Sequence, residues 1–364
     1  MENTRPTYME IDLEAFKYNV NQIQQYVGEG VKIMPVIKAN AYGTYINEFI
    51  EAINEFDIVA VALVDEAVSL RKKGYLKEIF VLNQPYKDEI EKITQNNITI
   101  GISSNSFLEE LGKNGNKVKI HIEIGTGMGR TGINPNRVEE YISKAKNYSN
   151  VEIEGIYTHL SSADCDYEYT EKQLNSFNMA VENAKKILSN LKYIHCSASN
   201  GILNFPNSYY NLVRPGIILY GHESYDGTFE KINLKPVCKL KSKITFLKEV
   251  GENTSIGYSR SYVTDRVTKV ATIPIGYADG LRRTLSNKGK VVINGVKVPI
   301  IGNICMDSFM ADVTELSEVA IGDDVYIWDN DLITVEEVAK QCDTINYEII
   351  STISNRVPRV LKGD

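Results

Sequence analysis

A single amine closes the apolar run Met34-Pro35-Val36-Ile37-Lys38, and the small-residue loop Ala39-Asn40-Ala41-Tyr42-Gly43 follows it. A lysine at the mouth of an apolar site loses hydration of its charged form. Its pKa then falls, and the free amine becomes available for Schiff-base chemistry. The same local sequence would serve a lysine that leaves a strand and points at water, since lysines are mostly exposed. For Lys38 taken alone that second reading is the favoured one. Arg130, His159, Ser199 and Arg214 each follow an apolar run that reads as a strand, and a parallel fold gathers residues at strand ends into one site.

The elements that would gather them are legible as an alternation. Up to Gly221, β-branched runs at 32–37, 57–62, 79–82, 118–124 and 151–158 are separated by helical patterns such as 13–26, 64–72 and 169–188. Such alternation predicts a parallel sheet, and about eight repeats in this length predict a (β/α)8 barrel. After Tyr225-Asp226-Gly227 the pattern changes to strands at 237–250, 267–275, 290–298 and 324–328, with turns such as Asn294-Gly295 and little helix. The expected fold is therefore α/β plus all-β, with a barrel over 1–230 and a β-strand domain over 231–364.

At 364 residues, with 43% hydrophobic and 24% charged, the chain has the balance of a soluble globular protein with two sizeable cores. A net charge of −7 without a basic block gives no reason to expect nucleic acid. Cys165, Cys196, Cys238, Cys305 and Cys342 form an odd, scattered set, which predicts reduced thiols in the cytoplasm rather than disulfides or zinc. His121, His159, His195 and His222 lack metal-ligand spacing, so no metal is expected. The opening Met1-Glu2-Asn3-Thr4-Arg5 has no apolar signal-peptide core, and no stretch approaches membrane-spanning length.

Several strings now line up in order over nearly the whole chain. They are Lys38 with Tyr42, Thr126-Gly127-Met128-Gly129-Arg130, Thr158-His159, Val213-Arg214-Pro215-Gly216, Ile256-Gly257-Tyr258, Gly276-Tyr277-Ala278-Asp279-Gly280 and Cys305-Met306-Asp307. Together they resemble the alanine racemase family of pyridoxal phosphate (PLP) enzymes. The resemblance implies that Lys38 carries PLP covalently until an amino-acid substrate displaces it. Inversion requires one acid/base group on each face of the substrate, and the resemblance gives these roles to Lys38 and Tyr258. A tyrosine with a pKa of about 10 is a poor base at neutral pH and needs polar or cationic neighbours. The matching residues are His159, which contacts the tyrosine, and Arg214, which links to His159. The resemblance also implies that Arg214 faces the pyridine nitrogen, where a guanidinium that keeps its protons would leave the ring a weaker electron sink.

No Gly-x-x-x-x-Gly-Lys loop is present. By resemblance the phosphate falls to the hydroxyls of Tyr42 and Ser199 and the amides of Ser199, Gly216 and Ile217, where glycine permits close approach. Arg130 is implied to meet the cofactor's phenolic oxygen and the substrate carboxylate, Met306 to meet that carboxylate through its main chain, and Tyr277 to line the entrance. The family builds each site from two chains, so a homodimer is implied, the partner supplying the residues that match Tyr258 and Met306.

Three departures shape the expected specificity. Glu123 stands seven residues before Arg130, where many family members carry a carbamylated lysine, and its carboxylate is expected to pair with Arg130 directly. Asn355 stands where the alanine enzymes usually have a tyrosine at the inner gate. A small polar residue there would reward a substrate hydroxyl. Thr44 and Asn303 replace a usual histidine and arginine, with effects the sequence does not reveal. The combination resembles the racemase part of the membrane-bound serine racemases of vancomycin-resistant bacteria, whose amino-terminal membrane domain is not seen here. The expectation is thus a PLP-dependent racemase of L- and D-serine with weaker alanine activity, supplying D-amino acid for peptidoglycan precursors; the alternative is an alanine racemase. A non-catalytic PLP carrier on the same barrel would lack the β domain. A PLP decarboxylase would show Gly-Gly-Gly and paired Cys-Asp signals that are not seen.

Overall fold

The computed structural model describes residues 5–224 and 228–363. The Tyr225-Asp226-Gly227 string, where the pattern changes, and the first four residues lie outside the described residues. The chain opens with strand Tyr8–Ile11 (β1) and helix Leu13–Val27. Asp12 starts that helix by accepting a hydrogen bond from the Ala15 amide at 2.9 Å. Ala15, Phe16, Asn19, Val20, Ile23 and Val27 form its buried face, at the three- and four-residue spacing of an amphipathic helix.

The barrel strands follow as Lys32–Ile33 (β2), Ile58–Val61 (β3), Glu78–Val81 (β4), Thr99–Ile102 (β5), Val118–Glu123 (β6), Val151–Tyr157 (β7), Tyr193–His195 (β8) and Leu212–Val213 (β9). Strands β3 to β8 pair in chain order, all parallel, and β2 pairs with β9. A bridge between Val36 and Ala60 and a 2.8 Å bond from the Arg214 amide to the Ser197 carbonyl close the ring. The run expected as one strand over 32–37 is interrupted because Pro35 has no N–H to give the ladder; its carbonyl still accepts from Ala60 at 2.8 Å. Strands β3 and β5 are buried throughout, as strands covered on both faces are.

The C-terminal part contains Cys238–Lys243 (β10), Phe246–Val250 (β11), Ser255–Ile256 (β12), Tyr262–Val263 (β13), Thr268–Ile273 (β14), Lys290–Ile293 (β15), Val296–Ile301 (β16), Phe309–Asp312 (β17), Asp324–Trp328 (β18) and Arg359–Leu361 (β19). One sheet runs β11-β14-β17-β16-β15-β18-β10-β1-β19. Strands β15 and β16 form the hairpin expected at Asn294-Gly295, with positive φ of 50° and 77° at its tip. The expected single strand over 237–250 instead turns at Ile244-Thr245, whose amides bond to Asp323 and Thr272.

Strand β1 lies in this C-terminal sheet, antiparallel to β10 and parallel to β19, rather than in the barrel alternation. Its half-buried, buried alternation is the period of a one-faced strand, unlike the solid apolar runs of the barrel. Two helices, Val335–Gln341 and Asn346–Ser351, also sit in the β-rich part, and the second reaches the functional site. One apolar core, from Met9 to Val357, joins barrel and sheet. Among the described residues, no helix is long and apolar enough to cross a membrane.

Candidate active site

Lys38 leaves β2 into a turn in which Ala39, Asn40, Ala41 and Tyr42 all take left-handed backbone, with φ between 51° and 55°. Each such residue costs about 1 to 2 kcal/mol relative to right-handed geometry, so the surroundings must hold the turn. The Glu66 carboxylate accepts from the amides of Ala39 at 2.6 Å, Ala62 at 2.8 Å and Leu63 at 3.1 Å. Thr44 Oγ1 donates to the Ala41 carbonyl at 2.6 Å, which gives that departure from the family pattern a structural task.

The turn presents Lys38 to a cavity of about 440 Å³ at the carboxyl ends of the strands. Arg130, His159, Ser199 and Arg214 line the same cavity, as their places after strands predict, together with Tyr42 and Gly216. Burial lowers the pKa of the Lys38 amine, with the charges of Arg130 and Arg214 adding to the effect and Glu66 opposing it. A larger hollow of about 790 Å³, lined by groups such as Asp12, Glu51 and Lys235, contains none of these residues.

Arg214 is 2% exposed and is held by four acceptors. Its guanidinium reaches His195 Nδ1 at 2.7 Å, the Thr158 carbonyl at 2.8 Å, the Cys196 carbonyl at 3.0 Å and His159 Nδ1 at 3.4 Å. A guanidinium only donates, so both imidazoles present Nδ1 lone pairs and carry their proton on Nε2. Burial, followed by the charges of Arg214, Arg130 and Lys38, pushes the His159 pKa down to about 3. His159 therefore stays neutral and offers an Nε2–H.

At the other end of the cavity the Gly216 amide donates to Ser199 Oγ at 3.1 Å. A Cβ on Gly216 would lie 2.5 Å from the Tyr42 hydroxyl, so only glycine leaves this corner open. Burial raises the pKa of Tyr42, keeping its hydroxyl protonated. Ile217 is buried in the core, which leaves only its main chain for a ligand. This set fits PLP: an amine of lowered pKa for the aldehyde, and a glycine-lined corner of hydroxyls and backbone for the phosphate. It also holds a buried cation with no carboxylate among its hydrogen-bond partners.

Tyr258, Met306 and Tyr277 lie elsewhere. They are 69%, 52% and 43% exposed on the C-terminal part, and none lines the cavity of its own chain. The amides of Tyr277 and Ala278 bond to the carbonyls of Cys305 and Met306 at 3.0 Å, stitching those two loops together. Asn303 Nδ2 donates to the Tyr258 carbonyl at 2.9 Å, so the second unexplained departure holds the Tyr258 loop.

Two expectations fail. No Glu123–Arg130 ion pair forms among the described residues: Arg130 is exposed at the cavity, while the buried Glu123 accepts from Thr131 Oγ1 at 2.8 Å. Asn355 is not at the inner gate. It is exposed and lines a separate surface groove with Tyr45 and Lys73. The cavity instead holds Tyr347, on helix Asn346–Ser351, with its ring 6.0 Å from that of Tyr42. The signal that could have found it was another tyrosine eight residues upstream, ahead of the apolar pair Ile349-Ile350.

Residues 11–224 match the family model for the alanine racemase N-terminal domain, and residues 237–361 match that for the alanine racemase C-terminal domain. An alanine racemase of Halothermothrix orenii is 40% identical over 370 residues, spanning 99% of this chain and 98% of that protein. One from Methanococcus maripaludis is 40% identical over 369 residues, spanning 98% of this chain and 99% of its own. Among solved structures, alanine racemase of Clostridium difficile 630 superposes with a TM-score of 0.94 at 34% identity, covering 99% of this chain and 96% of that one. Alanine racemase of Bacillus anthracis with bound L-Ala-P gives 0.93 at 32% identity, covering 100% and 97%.

Proposed function

Since the chain belongs to the alanine racemase family of PLP-dependent racemases, we propose that it interconverts L- and D-alanine, using Lys38 and, from a second copy, Tyr258 as the two acid/base groups. When bound, PLP supplies an electron-withdrawing ring that stabilises negative charge at the substrate α-carbon. Lys38 holds or releases a proton at Nζ on one face, and the lowering of its pKa by burial favours the free amine that this exchange needs. The neutral His159 keeps an Nε2–H at the cavity to donate to the second acid/base group, and Arg214 fixes that tautomer through Nδ1. Ser199, Gly216 and Tyr42 hold the phosphate end, and Arg130 orients the carboxylate.

The observation that carries alanine over serine is the position of Tyr347. The serine reading rested on asparagine at the gate, and Asn355 is remote from the cavity, whereas a tyrosine stands in it. A homodimer is supported by the exposure of Tyr258, Met306 and Tyr277, none of which lines the cavity of its own chain. The cysteines are unpaired among the described residues, which fits a reducing compartment such as the cytoplasm. The product would serve reactions that build D-amino acids into peptidoglycan precursors.

The test is kcat/KM for alanine and serine in the parent and in Asn355→Tyr. Alanine should be preferred in both, with the ratio unchanged. A preference for serine, or a ratio that moves with position 355, overturns the reading.

A further inference from the structure

The groups behind Arg214 do not stop at His195. His195 Nε2 lies 2.9 Å from His121 Nδ1, and ligand atoms of His121, Glu78 and Glu154 all lie within 4.8 Å of one another. The series descends through the barrel, from Arg214 after β9 and His195 at the end of β8, past His121 within β6, to Glu78 at the start of β4. Glu154 enters it through a β-bulge. The β6–β7 register passes from Ile120–Ile153 to His121–Gly155, leaving Glu154 as the extra residue, 7% exposed. Bulges re-aim side chains in this way. Gly155 then makes room for the ring, since a Cβ there would lie 2.8 Å from His121 Cγ.

Arg214 sets a direction on this series. His195 accepts at Nδ1, so its proton is on Nε2; His121 therefore accepts at Nδ1 and carries its own proton on Nε2. Burial keeps both rings neutral, with the His121 pKa pushed down to about 3. Every bond points away from Arg214, and the His121 Nε2–H is the last donor. Among the described residues it has no hydrogen-bond partner, nor has Glu154 Oε2, and ligand atoms of the two side chains lie within 4.8 Å of one another. The other Glu154 oxygen receives Lys119 at 2.7 Å and Lys192 at 3.4 Å. A protonated Nε2 and lysine-occupied carboxylates make this cluster unsuited to a metal ion.

We propose that His121 and Glu154, acting through His195, are positioning residues for Arg214, ending a one-way file of hydrogen bonds that fixes the guanidinium at the cavity. The direct hydrogen-bond acceptors of Arg214 are all neutral, and the carboxylate at the far end polarises the file without an ion pair that would draw the cation away. The kinetic consequence rests on the racemase reading above; the tautomers do not.

The test is 15N NMR of the histidines in the holoenzyme, with four histidines assignable by single substitution. His195 and His121 should each be neutral with the proton on Nε2, and a proton on Nδ1 of either overturns the proposal. His121→Phe keeps the ring that stacks on Phe80 at 4.4 Å and removes both nitrogens. It should blur the His195 tautomer and lower kcat about tenfold at unchanged KM, the scale on which supporting partners act. Glu154→Gln, which keeps an acceptor but loses the charge that polarises the file, should keep the tautomers and lower kcat by less than His121→Phe does; an unchanged kcat would remove Glu154 from the proposal. A folded His121→Phe with unchanged kcat and an unchanged His195 signal also overturns it. Parent protein with the expected tautomers but no turnover of alanine or serine would support the file and sink the racemase reading instead.

Discussion

Arg359 Nε donates to the carbonyl of Gly43 at 2.9 Å, joining the last strand of the chain to the turn that carries Lys38. The rest of that guanidinium donates to the carbonyls of Ser354, Val357 and Ile353 at 2.8, 2.6 and 2.7 Å. One planar fork thus ties the C-terminal loop to a strained active-site turn. It explains how four left-handed residues persist without glycine.

Arg359→Lys should therefore not be conservative. An ammonium cannot satisfy diverging carbonyls that a planar fork reaches together, and buried acceptors left unpaired cost about 1 to 3 kcal/mol each. Urea denaturation should show a loss of about 2 to 4 kcal/mol, accompanied by weaker PLP retention as the Lys38 turn relaxes. Equal stability in parent and variant would mean that Glu66 and Thr44 suffice to hold the turn.

A second device at the domain junction responds to pH. His222 Nδ1 lies 3.4 Å from Glu336 Oε1, which also accepts from the Glu223 amide and from Asn346 Nδ2, the neighbour of Tyr347. Burial opposes charging of His222, but hydrogen bonds with Cys238 and Glu336 raise its pKa from 6.5 to about 9. Burial likewise opposes ionisation of Glu336, but His222 lowers its pKa from 4.5 to about 2. The raised histidine stabilises fully below pH 6.5 and loses that contribution as pH rises to about 9. The lowered glutamate stabilises fully above pH 4.5 and loses it as pH falls to about 2. The His222–Glu336 contact enters both shifts, with Cys238 adding to the histidine's, and the pair is strongest between the two windows. His222→Gln should lower stability by about 3 to 5 kcal/mol near pH 6 and flatten the decline of the urea midpoint above neutrality. A decline of the same slope in the variant would assign it to other groups.

Much of this was legible in the sequence, for reasons that differ by residue. Lys38, His159, Ser199 and Arg214 line one cavity because parallel strands put residues after their carboxyl ends into one place, whatever the loops do. The helix at Val64–Lys72 and the hairpin at Asn294-Gly295 were set by local periodicity and turn chemistry. Tyr347 stands where Asn355 is expected because both lie in the same C-terminal stretch, and only the packing of helix Asn346–Ser351 against Tyr42 decides which enters the cavity. Strand β1 pairs with partners more than 200 residues away, which no local pattern encodes. The bulge that turns Glu154 inward is likewise a matter of register between strands, invisible along either one.

The phosphate corner permits a prediction in which two substitutions compensate. In Gly216→Ala the new methyl would lie 2.5 Å from the Tyr42 hydroxyl. Tyr42 has little room to yield, because its ring is packed 4.7 Å from Tyr220 and 6.0 Å from Tyr347. Overpacking of this kind costs about 1 to 3 kcal/mol, so the Kd for PLP should rise about tenfold or more. Tyr42→Phe removes the clashing oxygen but also a phosphate donor, and alone it should weaken PLP binding modestly. Combined, the two should bind PLP more tightly than Gly216→Ala alone, a non-additivity that a double-mutant cycle reads directly. Strictly additive losses would mean that position 216 acts on the cofactor by a route that does not pass through Tyr42.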